Sequence, residues 1–112
     1  MDSQLKKGLL EYSVLAALAP ADSYGYQVIK DCPPALGVTL STLYPLLRRL
    51  ESDGRVTTFT RLHQGRARKY YHLTSLGRKS IQDFVAEWPQ VETVVEQIQA
   101  AAQMLPDQEA QK

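Results

Sequence analysis

The chain is 112 residues long, enough for one small domain and too short for a catalytic domain joined to a regulatory one. Its hydrophobic fraction of 44% and charged fraction of 22% are ordinary for a folded globular protein, so disorder is not expected. The net charge is only +1, yet nine of the 13 basic residues fall between positions 48 and 79, where the acids are Glu51 and Asp53 alone. Beyond residue 80 acids prevail, so an anionic partner is expected for the middle and another task for the end. No apolar run reaches membrane-spanning length, the N-terminus lacks a secretory pattern, and Cys32 is the single cysteine. A cytoplasmic setting without a membrane partner is the expectation.

Leu5 to Ala19 predicts a helix apolar on most of its circumference, closed by Pro20. Asp22 or Ser23 is placed to cap a second helix, Tyr24 to Lys30, which stops before Pro33-Pro34. A third runs from Thr39 or Ser41 to Asp53. Leu40, Leu43, Leu47 and Leu50 form its inward stripe, and Ser41, Thr42, Tyr44, Arg48 and Ser52 its outward face. Pro45 lies beyond the first turn if Thr39 is the cap and nearer to it if Ser41 is. Gly54 stops the helix. Arg55 to Arg61 and Arg68 to Leu73 read as two strands around a turn at Gln64-Gly65. Their alternation predicts that one of Tyr70 and Tyr71 is structural.

Thr74 caps a last helix. From Ile81 its apolar positions are Ile81, Phe84, Trp88, Val91, Val95, Ile98, Ala102 and Leu105, a 3-4 alternation over more than three heptads. Such a seam exceeds what a three-helix head covers, so a second copy of the chain is expected along it. Pro89 should kink or divide the helix. The expected fold class is therefore mainly α with a small β-hairpin. Residues 1–73 make a winged helix-turn-helix, 74–105 a C-terminal dimerisation helix and 106–112 a flexible tail.

The Ser41, Thr42, Tyr44 and Arg48 face suits base edges and phosphates of a major groove. Arg66, Arg68 and Lys69 in the wing suit the flanking backbone or minor groove. Tyr24, beside Gly25 at a helix start, offers a hydroxyl to a phosphate. Against these stand plainer roles: Tyr24, Tyr26 and Tyr44 as core residues with polar tips, and Arg49 paired with Asp53 along the helix. Spacing alone makes Trp88 an interface anchor, although a flat aromatic at a two-fold axis also suits a planar ligand. His63 and His72 lack further ligands, and no nucleophile or phosphate-loop motif occurs. Neither an enzyme, a metal site nor a cofactor is expected.

Leu43-Tyr44-Pro45, Arg49-Leu50-Glu51 with Gly54, Gly65-Arg66, Arg68-Lys69-Tyr70-Tyr71, and Leu73-Thr74 with Gly77 resemble the PadR family of bacterial transcriptional regulators. Tyr24-Gly25-Tyr26 and Trp88 match as well. The length and single C-terminal helix resemble the small subfamily, including its multidrug-sensing members. The resemblance implies a homodimer whose last helix packs on the partner's first and last helices, bringing Leu9 into the interface with Ile81, Phe84, Trp88, Val91, Val95 and Ile98. It implies double-stranded operator DNA as partner, usually for repression, through Tyr24, Ser41, Thr42, Tyr44, Arg48, Arg66, Arg68 and Lys69. It implies a planar aromatic effector stacked on Trp88, next to which Pro89 departs from the small members' pattern. The alternatives are a regulator without a small-molecule effector and a winged helix used only for protein contacts.

Overall fold

A computed structural model describes residues 3–106. In chain order it has α1 (Ser3–Ala17), α2 (Gly25–Asp31), a short 3-10 turn (Pro34–Leu36), α3 (Leu40–Ser52), β1 (Val56–His63), β2 (Arg66–Leu73) and α4 (Ser75–Met104). The mainly helical fold with one antiparallel hairpin and a long last helix is the one expected. Two compact units divide within α4, the first closing at Gln82 and the second opening at Asp83. The expected tail lies, from residue 107 onward, outside the described residues.

Helix α1 stops two residues sooner than its apolar pattern. Leu18 and Ala19 donate to Leu15 and Ala16, tightening the chain into three-residue turns ahead of Pro20. Neither expected cap serves α2, whose N-cap is Tyr24 without a side-chain bond. Both residues are taken by the hairpin instead. Asp22 bonds His72 (2.7 Å), and Ser23 exchanges backbone bonds with Tyr71 (3.1 and 2.7 Å), adding a one-residue bridge beside β2.

Thr39 caps α3 in a reciprocal box with Thr42. Pro45 therefore lies inside the helix, where its missing N–H leaves the Ser41 carbonyl without a helical donor. The buried stripe is Leu43, Leu46, Leu47 and Leu50, with Leu40 only half-buried. Two adjacent leucines face inward because the stripe follows i, i+3, i+4, i+7. These side chains close a core with Val14 and Leu15 of α1, Leu18 just beyond it, Val28 of α2, and Val56, Tyr71 and Leu73 of the hairpin. Truncating any central leucine to alanine would cost about 2–5 kcal/mol.

The hairpin turns on Gln64 (φ 52°) and Gly65 (φ 79°), positive at both positions as a two-residue type I′ loop requires. Both strands reach farther toward the tip than their sequence signals, with His63 opposite Arg66. Register and alternation sort the side chains. Val56, Thr58, Lys69, Tyr71 and Leu73 share the face that includes the core residues, while Phe59, Arg61, Arg66, Arg68 and Tyr70 share the other.

At the start of α4, Thr74 is the expected cap. Its hydroxyl accepts from the Gly77 N–H (3.1 Å) and donates to the Gly54 carbonyl (2.7 Å). Gly77 is buried so tightly that a Cβ there would lie 2.3 Å from the Arg55 carbonyl oxygen. Farther on, α4 is one helix through Pro89, against the expectation that it could be divided there. The proline removes a single bond, to the Val85 carbonyl, on an exposed stretch where water can replace the donor.

Candidate nucleic-acid interface

Tyr24, Tyr44, Arg68 and Lys69 come from the α2 cap, α3 and β2, and all four line one cavity of about 390 Å³ with Gly25, Tyr26, Ala67 and Tyr71. Gly25 makes this convergence possible. A Cβ there would lie 2.7 Å from the Tyr44 hydroxyl, so the ring rests on the bare first residue of α2. Tyr24, Tyr26 and Tyr44 are not core residues: Tyr26 is 63% exposed and Tyr44 37%, with Tyr24 half-buried. Tyr71 does belong to the core, where burial pushes its hydroxyl pKa up and keeps it protonated.

Thr42 stands apart from this group. Its hydroxyl donates to the Thr39 carbonyl (3.0 Å) and accepts from the Thr39 N–H (3.2 Å), and it lines a different cleft, on the α1 side, with Lys7, Glu11, Pro45 and Arg49. Ser41 Oγ lies 3.0 Å from Thr39 Oγ1. Capping thus engages two hydroxyls that the sequence reading assigned to a groove, while Ser41 and Arg48 remain exposed. Arg66 is exposed near the wing tip, and Lys69 emerges on the face opposite Arg66 and Arg68.

Ion pairing divides the basic middle of the chain. Arg55 bonds Glu11 (3.0 Å) and Asp53 (2.8 Å), and Arg49 bonds the same Glu11 carboxylate. Asp53, the helical neighbour expected to pair with Arg49, is thus taken by Arg55. Hydrogen bonding from Arg55, reinforced by Arg49, outweighs burial and holds Glu11 below the usual carboxylate pKa. Among the described residues, Arg48, Arg61, Arg66, Arg68 and Lys69 lie within ion-pair distance of no carboxylate. The cations so left include those of the outward α3 face and the wing.

On the outer wing face the rings and cations stack. Arg68 lies 4.0 Å from the Tyr24 ring centroid, and Arg61 lies 4.8 Å from Tyr70 and 5.2 Å from Phe59. Tyr70 is buried under this layer, so both tyrosines of the Tyr70-Tyr71 pair are structural, on opposite faces. Arg61 and the Phe59–Tyr70 shelf were not assigned to the interface from sequence, and Tyr26 was named there without a DNA role. Alternation with Arg68 across the turn would have placed Arg61 on that face, but the cover that Tyr24 provides has no local signal.

Along α4, Ile81 packs on the core of the first unit, and Leu9 of α1 is half-buried. In the second unit Phe84 and Trp88 have ring centroids 5.8 Å apart, and Trp88, Val91, Val95 and Ile98 are 38 to 58% exposed. Among the described residues no cluster of His, Cys, Asp and Glu could hold a metal, and no helix is long and apolar enough to cross a membrane.

Residues 14–83 match the PadR-like family of transcriptional regulators. The chain belongs to this family. Among solved structures, a Streptococcus mutans protein is 37% identical, covering 88% of this chain and 92% of its own with a TM-score of 0.68. A PadR family transcriptional regulator of Eggerthella lenta is 32% identical over 85% of each chain, with a TM-score of 0.73. Bacillus subtilis PadR, solved in complex with operator DNA, is 27% identical with a TM-score of 0.62, over 69% of this chain and 46% of that one. The PadR-family segment holds the three elements around the cavity and the first turns of α4.

Proposed function

We propose that this PadR-family regulator is a sequence-specific DNA-binding repressor that acts as a homodimer and is released by a planar aromatic ligand at the dimer interface. One observation carries the DNA reading. Tyr24, Tyr44, Arg68 and Lys69 converge on one cavity, in a head whose α3 and wing cations lack carboxylate partners. Unpaired guanidiniums beside phenol hydroxyls suit phosphate oxygens and base edges, and α3 has the width of a major-groove reader. The operator complex of Bacillus subtilis PadR supports the same assignment. Within this reading Ser41, Tyr44 and Arg48 read the groove, Tyr24, Arg66, Arg68 and Lys69 hold the backbone, and Thr42 positions Ser41 through the cap.

The pairing rests on the second unit. Trp88, Val91, Val95 and Ile98 form an exposed apolar stripe at heptad spacing, too hydrophobic to remain in water. Pairing there, with Leu9 and Phe84 at its margin, would fix the separation of two recognition helices and match a two-fold operator. A ligand stacked on Trp88 shifts DNA affinity only by preferring one separation over another.

Gel shift of a duplex from upstream of the chain's own gene tests the reading. A discrete complex that falls steeply with salt and outcompetes mixed-sequence DNA supports it. Binding indifferent to salt would point instead to a protein-contact module. Titrating Trp88 fluorescence with planar aromatics tests the effector; silence across a broad panel leaves a regulator without one.

A further inference from the structure

The outer face of the wing carries a pair of arginines, of which Arg68 also lines the tyrosine-lined cavity and Arg61 does not. Arg61 on β1 and Arg68 on β2 are direct cross-strand partners. Like charges at such a pair repel, and a strand pair normally sets a cation against an anion there. Here neither guanidinium reaches a carboxylate among the described residues. Each is held by aromatic rings instead, Arg61 over Phe59 and Tyr70, and Arg68 over Tyr24. The rings are themselves fixed: Phe59 stacks on Tyr70 at 5.6 Å and 21°, and Tyr24 meets Tyr70 edge-on at 5.6 Å. Arg68 Nη1 is buried without a hydrogen-bond partner.

Such a layer has one unmet chemical need. Rings take the faces of the guanidiniums but not their N–H donors, which lie in the guanidinium plane and match the paired oxygens of a phosphate. Among the described residues, the one carboxylate bonded to this face is Asp22, and it is taken by His72. His63 and Arg66 continue the same face toward the tip. We propose that Arg61 and Arg68 form a prepositioned clamp for a DNA phosphodiester on the outer face of the wing, with Arg61 a contact residue and Phe59 and Tyr70 its positioning shelf. The clamp rests on the DNA-binding reading above and extends it from Arg68, at the cavity, across the strand pair to Arg61 on β1.

The test measures affinity of the full chain for a labelled mixed-sequence duplex across a salt series, since phosphate contacts do not depend on sequence. Each phosphate contact contributes about 0.9 to the slope of log affinity against log salt. Arg61→Ala should lower the slope by about one. The affinity lost between about 50 and about 200 mM salt then shrinks roughly 3.5-fold, and roughly 12-fold for Arg61→Ala with Arg68→Ala. Arg61→Lys should keep the slope, whereas Phe59→Leu should weaken binding while keeping the charge count. Arg78→Ala, an exposed cation on α4, serves as the control and should bind with the wild-type slope. Circular dichroism checks that each variant is folded. Wild-type binding with an unchanged slope in Arg61→Ala overturns the clamp and leaves the DNA reading intact. Absence of salt-dependent binding by the wild-type chain overturns both.

Discussion

Gly77→Ala is the substitution whose cost follows most directly from the geometry. Its Cβ would lie 2.3 Å from the Arg55 carbonyl oxygen and 2.5 Å from Leu73 Cδ1, whereas ordinary contact begins at 3.4 Å. The first turn of α4 must therefore withdraw by about 1 Å from the α3–β1 corner, a displacement that a packed interior resists. That movement opposes the bonds that fasten the corner, Thr74 N–H to Arg55 (3.1 Å) and Thr74 Oγ1 to Gly54 (2.7 Å). Overpacking costs about 1–3 kcal/mol and two weakened bonds about 1 kcal/mol each, against about 1 kcal/mol gained from alanine's helix propensity. The net loss is about 2–4 kcal/mol, or a fall in Tm of roughly 10–20 °C for a domain of this size. Thermal unfolding followed by circular dichroism, at matched protein concentration, measures it. A variant as stable as the wild type, or more stable, would refute the close approach. Gly8 of α1 has nothing within 4 Å of its Cβ position, so Gly8→Ala should raise Tm by a few degrees.

Gly25→Ala should separate fold from function: only the hydroxyl end of Tyr44 is in the way, so Tm changes little, but the ring moves and affinity for an upstream duplex falls several-fold in gel shift. Glu11→Gln should cost about 1–2 kcal/mol at neutral pH by weakening the links from α1 to Arg49 and Arg55. Because its pKa is lowered on folding, the Glu11 contribution is complete above its ordinary value of about 4.5 and is lost as pH falls through the folded value. Urea unfolding of wild type and Glu11→Gln should therefore converge in acid; a gap that persists at the lowest pH would contradict the ion pair. Val95→Asp places a charge in the exposed stripe of α4 and should weaken self-association at least tenfold, or about 1.4 kcal/mol, in analytical ultracentrifugation. An unchanged dimer would remove that stripe from the interface.

What could be read from sequence was what spacing alone determines. The turn at Gln64-Gly65, the Thr74 cap and most of the α3 leucine stripe depend on neighbours within one or two turns, and the fold places them where the pattern puts them, with Leu46 buried more deeply than the expected Leu40. The failures share one cause. Asp22 and Ser23 look like helix caps until the hairpin, some 50 residues later, takes the Asp22 carboxylate and the Ser23 backbone. Arg49 has an acid four residues on but bonds Glu11, 38 residues back. Alternation makes only one of Tyr70 and Tyr71 structural, whereas Tyr24 and Phe59 cover Tyr70 on the face opposite Tyr71. Of the candidate site, Tyr24, Tyr44, Arg68 and Lys69 were legible and prove to be neighbours; the Thr42 hydroxyl also serves the α3 cap, since capping and groove contact favour the same small hydroxyl.

The two-residue turn of the hairpin has a further effect, on which mutations the wing can survive. Side chains alternate strictly across the strands, so the turn decides by parity which residues meet the core and which meet solvent. Losing one residue from β2 between Ala67 and Tyr70 would invert everything on one side of the gap, sending arginine inward and leucine out. Losing two would shorten the wing and preserve both faces. Substitutions near the tip should be well tolerated except at Gly65, whose φ is positive, while odd-numbered insertions and deletions in the strands should be rare among variants that still fold. A deep mutational scan would display this as a period-two comb across residues 56–73.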